Sequence, residues 1–240
     1  MDLILIGIAG VILLLVLLAI GVPIAFAMAF TGILGLWIVE GPIPTMAHAA
    51  LIPWEHGRDF IFVAVPLFVL MGQLFYHAGL ASDLYESLRK WVGRVPGGMA
   101  ISSVLACGGF GAVTGSSIAT VATMGTIVMP EMRRFKYDSR LATGALAASG
   151  TLGILIPPSL IFIFYGVMTE TSIGALFIAG IVPGAITALM FSLIILIRCA
   201  LNPALGPKGP RANWQERIVS VSRLGPVAIL FALIIGGIYA

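Results

Sequence analysis

Five hydroxyl side chains, Thr114, Ser116, Ser117, Thr120 and Thr123, fall within ten residues that follow the small, flexible run Gly108-Gly109-Phe110-Gly111-Ala112-Val113. Neutral oxygens at this density suit a monovalent cation, which dipoles can hold without a full negative charge. A second stretch, Gly150-Thr151-Leu152-Gly153-Ile154-Leu155-Ile156-Pro157-Pro158-Ser159, carries two consecutive prolines. These remove two backbone donors and push the preceding residues away from helical angles, which frees carbonyls. Carbonyls around Gly153 and Ile156 could complete a cation shell begun by the hydroxyls. Small and hydroxylated residues in membrane helices also serve close packing and interhelical hydrogen bonds, so the residues alone leave both readings open.

Other chemistries fit less well. Gly109-Phe110-Gly111 followed by Gly115 lacks the preceding strand and downstream acid of a dinucleotide loop, and Gly115-Ser116 lacks the lysine of a phosphate-binding loop. A nucleophilic Ser116 or Ser117 would need a base within hydrogen-bond reach. The three histidines, His48, His56 and His77, all fall outside the serine-rich stretch. Cys107 and Cys199 match no metal or redox spacing and read as small packing residues. An intramembrane hydrolase remains a remote alternative, and no enzyme activity is expected.

The elements that would position these residues are membrane helices. Of 240 residues 60% are hydrophobic and 10% charged, which excludes an ordinary soluble domain. Apolar spans are expected at 3–20, 22–39, 59–78, 141–168, 173–197 and from 224 onward. The first reads as a retained span rather than a signal peptide, since Met1 and Asp2 bring no basic charge and no cleavage site follows. Span 59–78 contains Pro66 and Gln73, whose amide should face protein. Residues 80–94 interleave Asp83, Glu86, Arg89 and Lys90 with Leu84, Tyr85, Leu88 and Trp91 at helical spacing, as in a helix lying along the interface.

Basic clusters set the orientation, because cytoplasmic loops are enriched in Lys and Arg. They are Arg89, Lys90 and Arg94; Arg133, Arg134, Lys136 and Arg140; and Arg198, Lys208, Arg211, Arg217 and Arg223. The Glu40–Arg58 loop and the turn at Thr169–Ser172 should face outward, with the amino terminus outside. The basic runs read as topology determinants rather than nucleic-acid or lipid-recognition patches, and no nucleic-acid partner is expected. Residues 95–129 then have a cytoplasmic cluster on each side, so they must enter and leave by one face, as a re-entrant helical hairpin. Irregular backbone at membrane depth survives only against protein or a water-filled cavity, so the hairpin tip should line a site together with the proline-broken span 141–168.

Gly111-Ala112-Val113-Thr114-Gly115-Ser116-Ser117-Ile118-Ala119-Thr120, Pro130-Glu131-Met132 and Gly150 to Ser159 resemble the large membrane subunit of tripartite ATP-independent periplasmic (TRAP) transporters, the DctM-like family. The resemblance extends to Gly21-Val22-Pro23, Pro66-Leu67-Phe68, Val95-Pro96-Gly97-Gly98 and Gly236-Gly237-Ile238-Tyr239. It implies a bacterial inner-membrane, multi-pass permease of the elevator type, importing small organic acids such as C4-dicarboxylates or sialic-acid-like carboxylates with sodium. A small membrane subunit, an extracytoplasmic substrate-binding protein and membrane lipid are the implied partners. Sodium is the only cofactor implied, with no organic one. The resemblance places Na⁺ on Thr114 and Ser117 by side chain, with Gly153, Ile156 and Pro158 contributing from the backbone or shaping the loop. Gly115, Ser116, Thr120, Pro157 and Ser159 are the expected substrate-lining residues.

The expected fold is therefore all-α and polytopic, one half of an inverted-repeat elevator transporter. Residues 1–94 are read as scaffold, 95–168 as the transport element, and 169–240 as connecting spans with a cytoplasmic loop. The sequence stops at Ala240 inside an apolar run and reads as cut short, half the length that the resemblance implies. A non-transporting scaffold or assembly subunit is the alternative of a different class.

Overall fold

The computed structural model describes residues 3–58, 60–210 and 212–239. Met1, Asp2, Asp59, Arg211 and Ala240 lie outside the described residues, and with them the amino-terminal flank, one member of the third basic cluster and the closing residue. The chain packs as two units, Met1–Phe60 and Ile61–Ala240.

In the first unit α1 (Leu3–Ala19) packs on α2 (Ile24–Glu40). Both are apolar on every side, and little of their surface is buried within the unit, as expected of helices that face lipid. Gly21, at φ +93°, turns the chain between them. Residues 42–57 form a helix, α3 (Pro42–Gly57), where an outer loop was expected. Gly41, at φ +87°, ends α2, and Pro42 and Pro44 sit in the first turn, where no intrahelical donor is lost. Thr45 Oγ1 then donates back to the Gly41 carbonyl at 2.7 Å.

The second unit is built around one helix. It comprises α4 (Ala64–His77), α5 (Leu80–Val92), α6 (Gly98–Thr114), α7 (Ser117–Arg134), α8 (Ser139–Gly150), α9 (Leu152–Leu155), α10 (Leu160–Thr169), α11 (Ile173–Leu201), α12 (Trp214–Arg223) and α13 (Gly225–Tyr239). Helix α6 touches α4, α5, α7, α8, α9 and α11, and all but two of its residues are buried. This explains its small side chains. A Cβ on Gly108 would lie 3.1 Å from Ile156 Cδ1 and one on Gly109 3.0 Å from Leu84 Cδ2, so these neighbours can approach only because α6 is thin. Ser102 and Ser103 are fully buried but satisfied, donating to the Gly98 and Ala100 carbonyls.

The hairpin folds back as expected. The Met99 amide, at the start of α6, donates to Tyr137 Oη at 3.2 Å, just beyond the end of α7. The second arm continues to Arg134, five residues past the expected end at 129, because Pro130 lies in the last turns of α7 and the helix tolerates it. The segment after α11 stitches both feet of the hairpin together. Tyr137 Oη donates to the Pro207 carbonyl (2.9 Å), Asp138 N to Leu205 O (3.0 Å), Gly97 N to Gly206 O (3.1 Å) and Gly209 N to Gly93 O (2.9 Å). Arg94, Arg133, Arg134, Arg140 and Lys208 therefore gather at one end of the unit, the pattern on which the foldback was inferred.

Two expectations are corrected. Residues 198–223 are not all loop: α11 runs on to Leu201, and Trp214–Arg223 form α12, started by a capping box between Asn213 and Glu216. Helix α12 lies on α5, where Ser87 Oγ donates to the Ser220 carbonyl at 3.0 Å and the Trp91 and Trp214 rings sit 6.1 Å apart. Gln73 is exposed on α4 rather than turned into the unit, because the inward face of that helix is taken by Gly72 and Phe75. Helices α4 and α5 pack directly on α6.

Among the described residues α11 is long and apolar enough to cross a membrane by itself. Two bent pairs qualify when joined: α4 with α5, bent by 63°, and Ser139–Leu155 with α10, bent by 41°. Helices α1, α2 and α6 are shorter and apolar. The protein is an all-α polytopic membrane protein.

Candidate functional site

Two helix breaks meet in this unit. In the hairpin, Gly115 takes φ +61° and its amide closes α6 onto the Gly111 carbonyl at 2.7 Å. Ser116 is extended and caps α7, its Oγ accepting from Ala119 N at 3.4 Å. In the second break α9 ends at Leu155, residues 156–159 are extended or turned, and α10 starts at Leu160. Pro157 and Pro158 cannot donate to the Gly153 and Ile154 carbonyls, which thereby lose their helical partners. Ser159 Oγ takes up the Ile154 carbonyl at 2.8 Å; the Gly153 carbonyl keeps no helical donor.

Glycines bring the breaks into contact. A Cβ on Gly153 would stand 2.9 Å from Thr120 Oγ1, 3.1 Å from the Ser116 carbonyl oxygen and 3.2 Å from Gly111 Cα. One on Gly115 would meet Leu160 N at 2.9 Å, and that amide donates to the Gly115 carbonyl at 3.3 Å. The carboxyl ends of α6 and α9 and the amino ends of α7 and α10 therefore converge, with carbonyl dipoles and N–H dipoles side by side.

Oxygen atoms cluster at this junction. Thr114 Oγ1 lies 3.0 Å from Thr120 Oγ1, 3.4 Å from the Gly111 carbonyl and 3.5 Å from the Ser116 carbonyl. Thr120 Oγ1 donates to the Ser116 carbonyl at 2.7 Å. Both threonines are buried, Thr120 completely. Neither break contains an ionisable side chain, so the donor set is hard, neutral oxygen, which fits an alkali cation and not a transition metal. Of the expected ion ligands, Thr114 and Gly153 sit at this cluster. Pro158 is buried behind Gly115, and the Ile156 side chain packs against Gly108 and Gly184.

Ser117 is placed differently. It is half-buried on the rim of an open groove of about 420 Å³, beside Ile118, Val121, Gly150 and Thr151. Of the expected substrate-lining residues, Ser116 turns its carbonyl into the oxygen cluster, Thr120 and Ser159 spend their hydroxyls on backbone carbonyls, Gly115 is buried at the contact with Leu160, and Pro157 is half-buried in the extended segment. Two contributors escape sequence reasoning. Gly72 of α4 lies so close to Thr114 that a Cβ there would come 2.9 Å from Thr114 Cγ2, and Gly111 supplies both a carbonyl and a backbone contact. The signal for each was a glycine inside an apolar helix, where its cost needs a reason.

A helical hairpin packed against a broken helix is the arrangement from which membrane transporters build binding sites out of interrupted helices. The family model described as "Tripartite ATP-independent periplasmic transporter, DctM component" matches residues 11–240, and the chain belongs to that family. It is 38% identical over 187 residues to the C4-dicarboxylate TRAP transporter large permease protein DctM of Pseudomonas aeruginosa, covering 78% of this chain and 43% of that protein. It is 34% identical over 229 residues to the protein of the same description from Vibrio cholerae, covering 95% and 50%. To the ectoine TRAP transporter large permease protein TeaC of Halomonas elongata it is 34% identical over 224 residues, covering 93% and 52%. The chain spans about half the length of the curated relatives it matches.

Proposed function

We propose that this chain carries the ion-binding element of a sodium-coupled importer of small organic acids in the inner membrane of a bacterium. The observation that supports this reading best is the junction of the two breaks, where buried neutral oxygens and helix ends of both polarities share one place. When bound there, sodium supplies a positive charge that no side chain in either break provides. Thr114 would hold it through its hydroxyl, with the Gly111 and Ser116 carbonyls at the same cluster, the backbone of Gly153 beside it and Ile156 and Pro158 shaping the loop. Ser117 stands at the rim, where the amino end of α7 offers N–H groups to a carboxylate in the adjoining groove.

Holding the ion joins α6, α7 and α9 through one set of ligands, so the tip is ordered and the neighbouring anion site is completed. Coupling follows, because the organic acid binds a conformation that the ion favours. A small membrane subunit and an extracytoplasmic binding protein complete the assembly, and a C4-dicarboxylate or sialic-acid-like carboxylate is the proposed cargo. No catalytic step is assigned to the chain.

The deciding experiment reconstitutes the transporter containing this chain with its binding protein and follows substrate uptake into vesicles. Uptake should need an inward sodium gradient and lose that dependence, or fall more than ten-fold, with Thr114→Ala. Uptake indifferent to sodium rejects the reading.

A further inference from the structure

A cleft of about 380 Å³ opens between α6, α8 and α11, away from the hairpin tip. Its walls are hydrocarbon: Leu141 and Ala145 of α8 face Phe191 and Ile194 of α11. Gly144 sits at its exposed edge, and a Cβ there would meet nothing within 4 Å, so the cleft is open and not filled by a neighbour. Ile194 remains 49% exposed on a helix long enough to cross the membrane, so the apolar wall of the cleft is open along its length.

One end of this cleft is charged. Arg140 lies in the first turn of α8 and Arg198 in the last turn of α11, and both line the cleft. The hydrogen bond from Asp138 N to the Leu205 carbonyl holds these two helix ends together, at the end of the unit where the basic clusters gather. Among the described residues neither arginine forms an ion pair. Asp138 lines the same end and caps α8, its Oδ1 accepting from Leu141 N at 3.0 Å, so two guanidiniums and one carboxylate leave that end net positive. Lys136, Arg133 and Arg134 point outward on the adjoining surface and do not line the cleft.

We propose that this cleft binds an anionic phospholipid, its phosphate held between Arg140 and Arg198 and one acyl chain laid along the Leu141–Gly144 edge against Phe191. A hydrocarbon slot whose charged end sets two guanidiniums against the one carboxylate of Asp138, and so stays net positive, matches both halves of such a molecule, and the bilayer supplies it at high local concentration. The acyl chain gains little by leaving other lipid, so selectivity comes from the headgroup, about five-fold per arginine.

The test uses the purified chain in detergent micelles, titrated with phosphatidylglycerol, phosphatidylcholine or soluble glycerol phosphate. Bound lipid is counted by native mass spectrometry and protein stability by thermal unfolding. Phosphatidylglycerol should bind at least ten-fold more tightly than phosphatidylcholine and raise the unfolding midpoint further. Arg140→Gln with Arg198→Gln should erase that preference, Gly144→Trp should reduce binding of both lipids by filling the slot, and Arg133→Gln with Arg134→Gln should leave the preference intact. Equal binding of the two lipids by the unaltered chain overturns the proposal, as does equal loss in the Arg133/Arg134 pair, which would mark a diffuse surface charge. Stabilisation by glycerol phosphate alone also overturns it, because a phosphate site would not need the slot.

Discussion

Gly111 of α6 and Gly153 of α9 meet backbone to backbone, so that a methyl group on Gly153 would reach within 3.2 Å of Gly111 Cα. This contact sets the distance between the hairpin tip and the broken helix. It leaves Thr120 Oγ1 and the Ser116 carbonyl with no room for any side chain between the two breaks.

Gly153→Ala should therefore cost roughly 1–3 kcal/mol, the usual penalty for forcing extra volume into a packed site. Gly144→Ala, with nothing near its new methyl, should be neutral or gain about 0.5–1 kcal/mol from helix propensity. Thermal unfolding in detergent compares them; equal effects would deny the close approach.

Thr120 separates hydroxyl from shape. Thr120→Val keeps the volume but removes the shortest partner of both the Ser116 carbonyl and the Thr114 hydroxyl, leaving the Thr120 amide at 3.1 Å on the first and the Gly111 and Ser116 carbonyls at 3.4 and 3.5 Å on the second, at a cost of about 0.5–1.5 kcal/mol. Thr120→Ser should recover most of that loss. The unfolding midpoint of the two variants beside the parent checks the order, and a midpoint for Thr120→Val equal to that of the parent would contradict the hydrogen bonding.

Arg89 on α5 and Glu131 on α7 form an ion pair, Nε to Oε2 at 3.4 Å, with both side chains mostly buried. A double-mutant cycle on Arg89→Ala and Glu131→Ala should return a favourable coupling of about 1 kcal/mol. One turn earlier, the Tyr85 hydroxyl is buried without a hydrogen-bond partner among the described residues. Tyr85→Phe should therefore leave stability unchanged or raise it by about 1 kcal/mol.

Tyr137 ties the feet of the hairpin to the 202–210 segment, outside the apolar spans. Burial pushes its phenol from the ordinary 10.0 up to about 12, the Met99 amide opposing and Cys199 adding slightly. Between these values the folded state keeps a proton that the unfolded chain has lost. Stability from this group is therefore complete below pH 10 and declines as pH rises toward 12. Unfolding midpoints measured from pH 8 to 11.5 should fall more steeply for the parent than for Tyr137→Phe. The variant should also be less stable at pH 8, since it loses bonds to the Met99 amide and the Pro207 carbonyl.

Much of this protein was legible as a string of residues. Charge scarcity and apolar length made it a helical membrane protein, because no soluble chain hides so much hydrocarbon. The basic clusters on either side of 95–129 demanded a foldback, which the Met99–Tyr137 bond realises, and Pro157-Pro158 announced a break through the donors they lack. The resemblance carried by the glycine and hydroxyl motifs led to the family. Tertiary structure alone decided which neighbours those motifs serve. Helix α3 formed where an outer loop between two apolar spans was expected, its first-turn prolines being tolerated where no intrahelical donor is lost. Thr114 and Thr120 came to share one buried oxygen cluster while Ser117 went to the rim, a division set by how α7 rotates about Ser116. The slot between Arg140 and Arg198 exists only because α8 and α11, 58 positions apart at those arginines, run side by side. Periodicity and charge act locally along a chain, whereas the partner of a face is chosen by long-range packing, which no short window of residues contains.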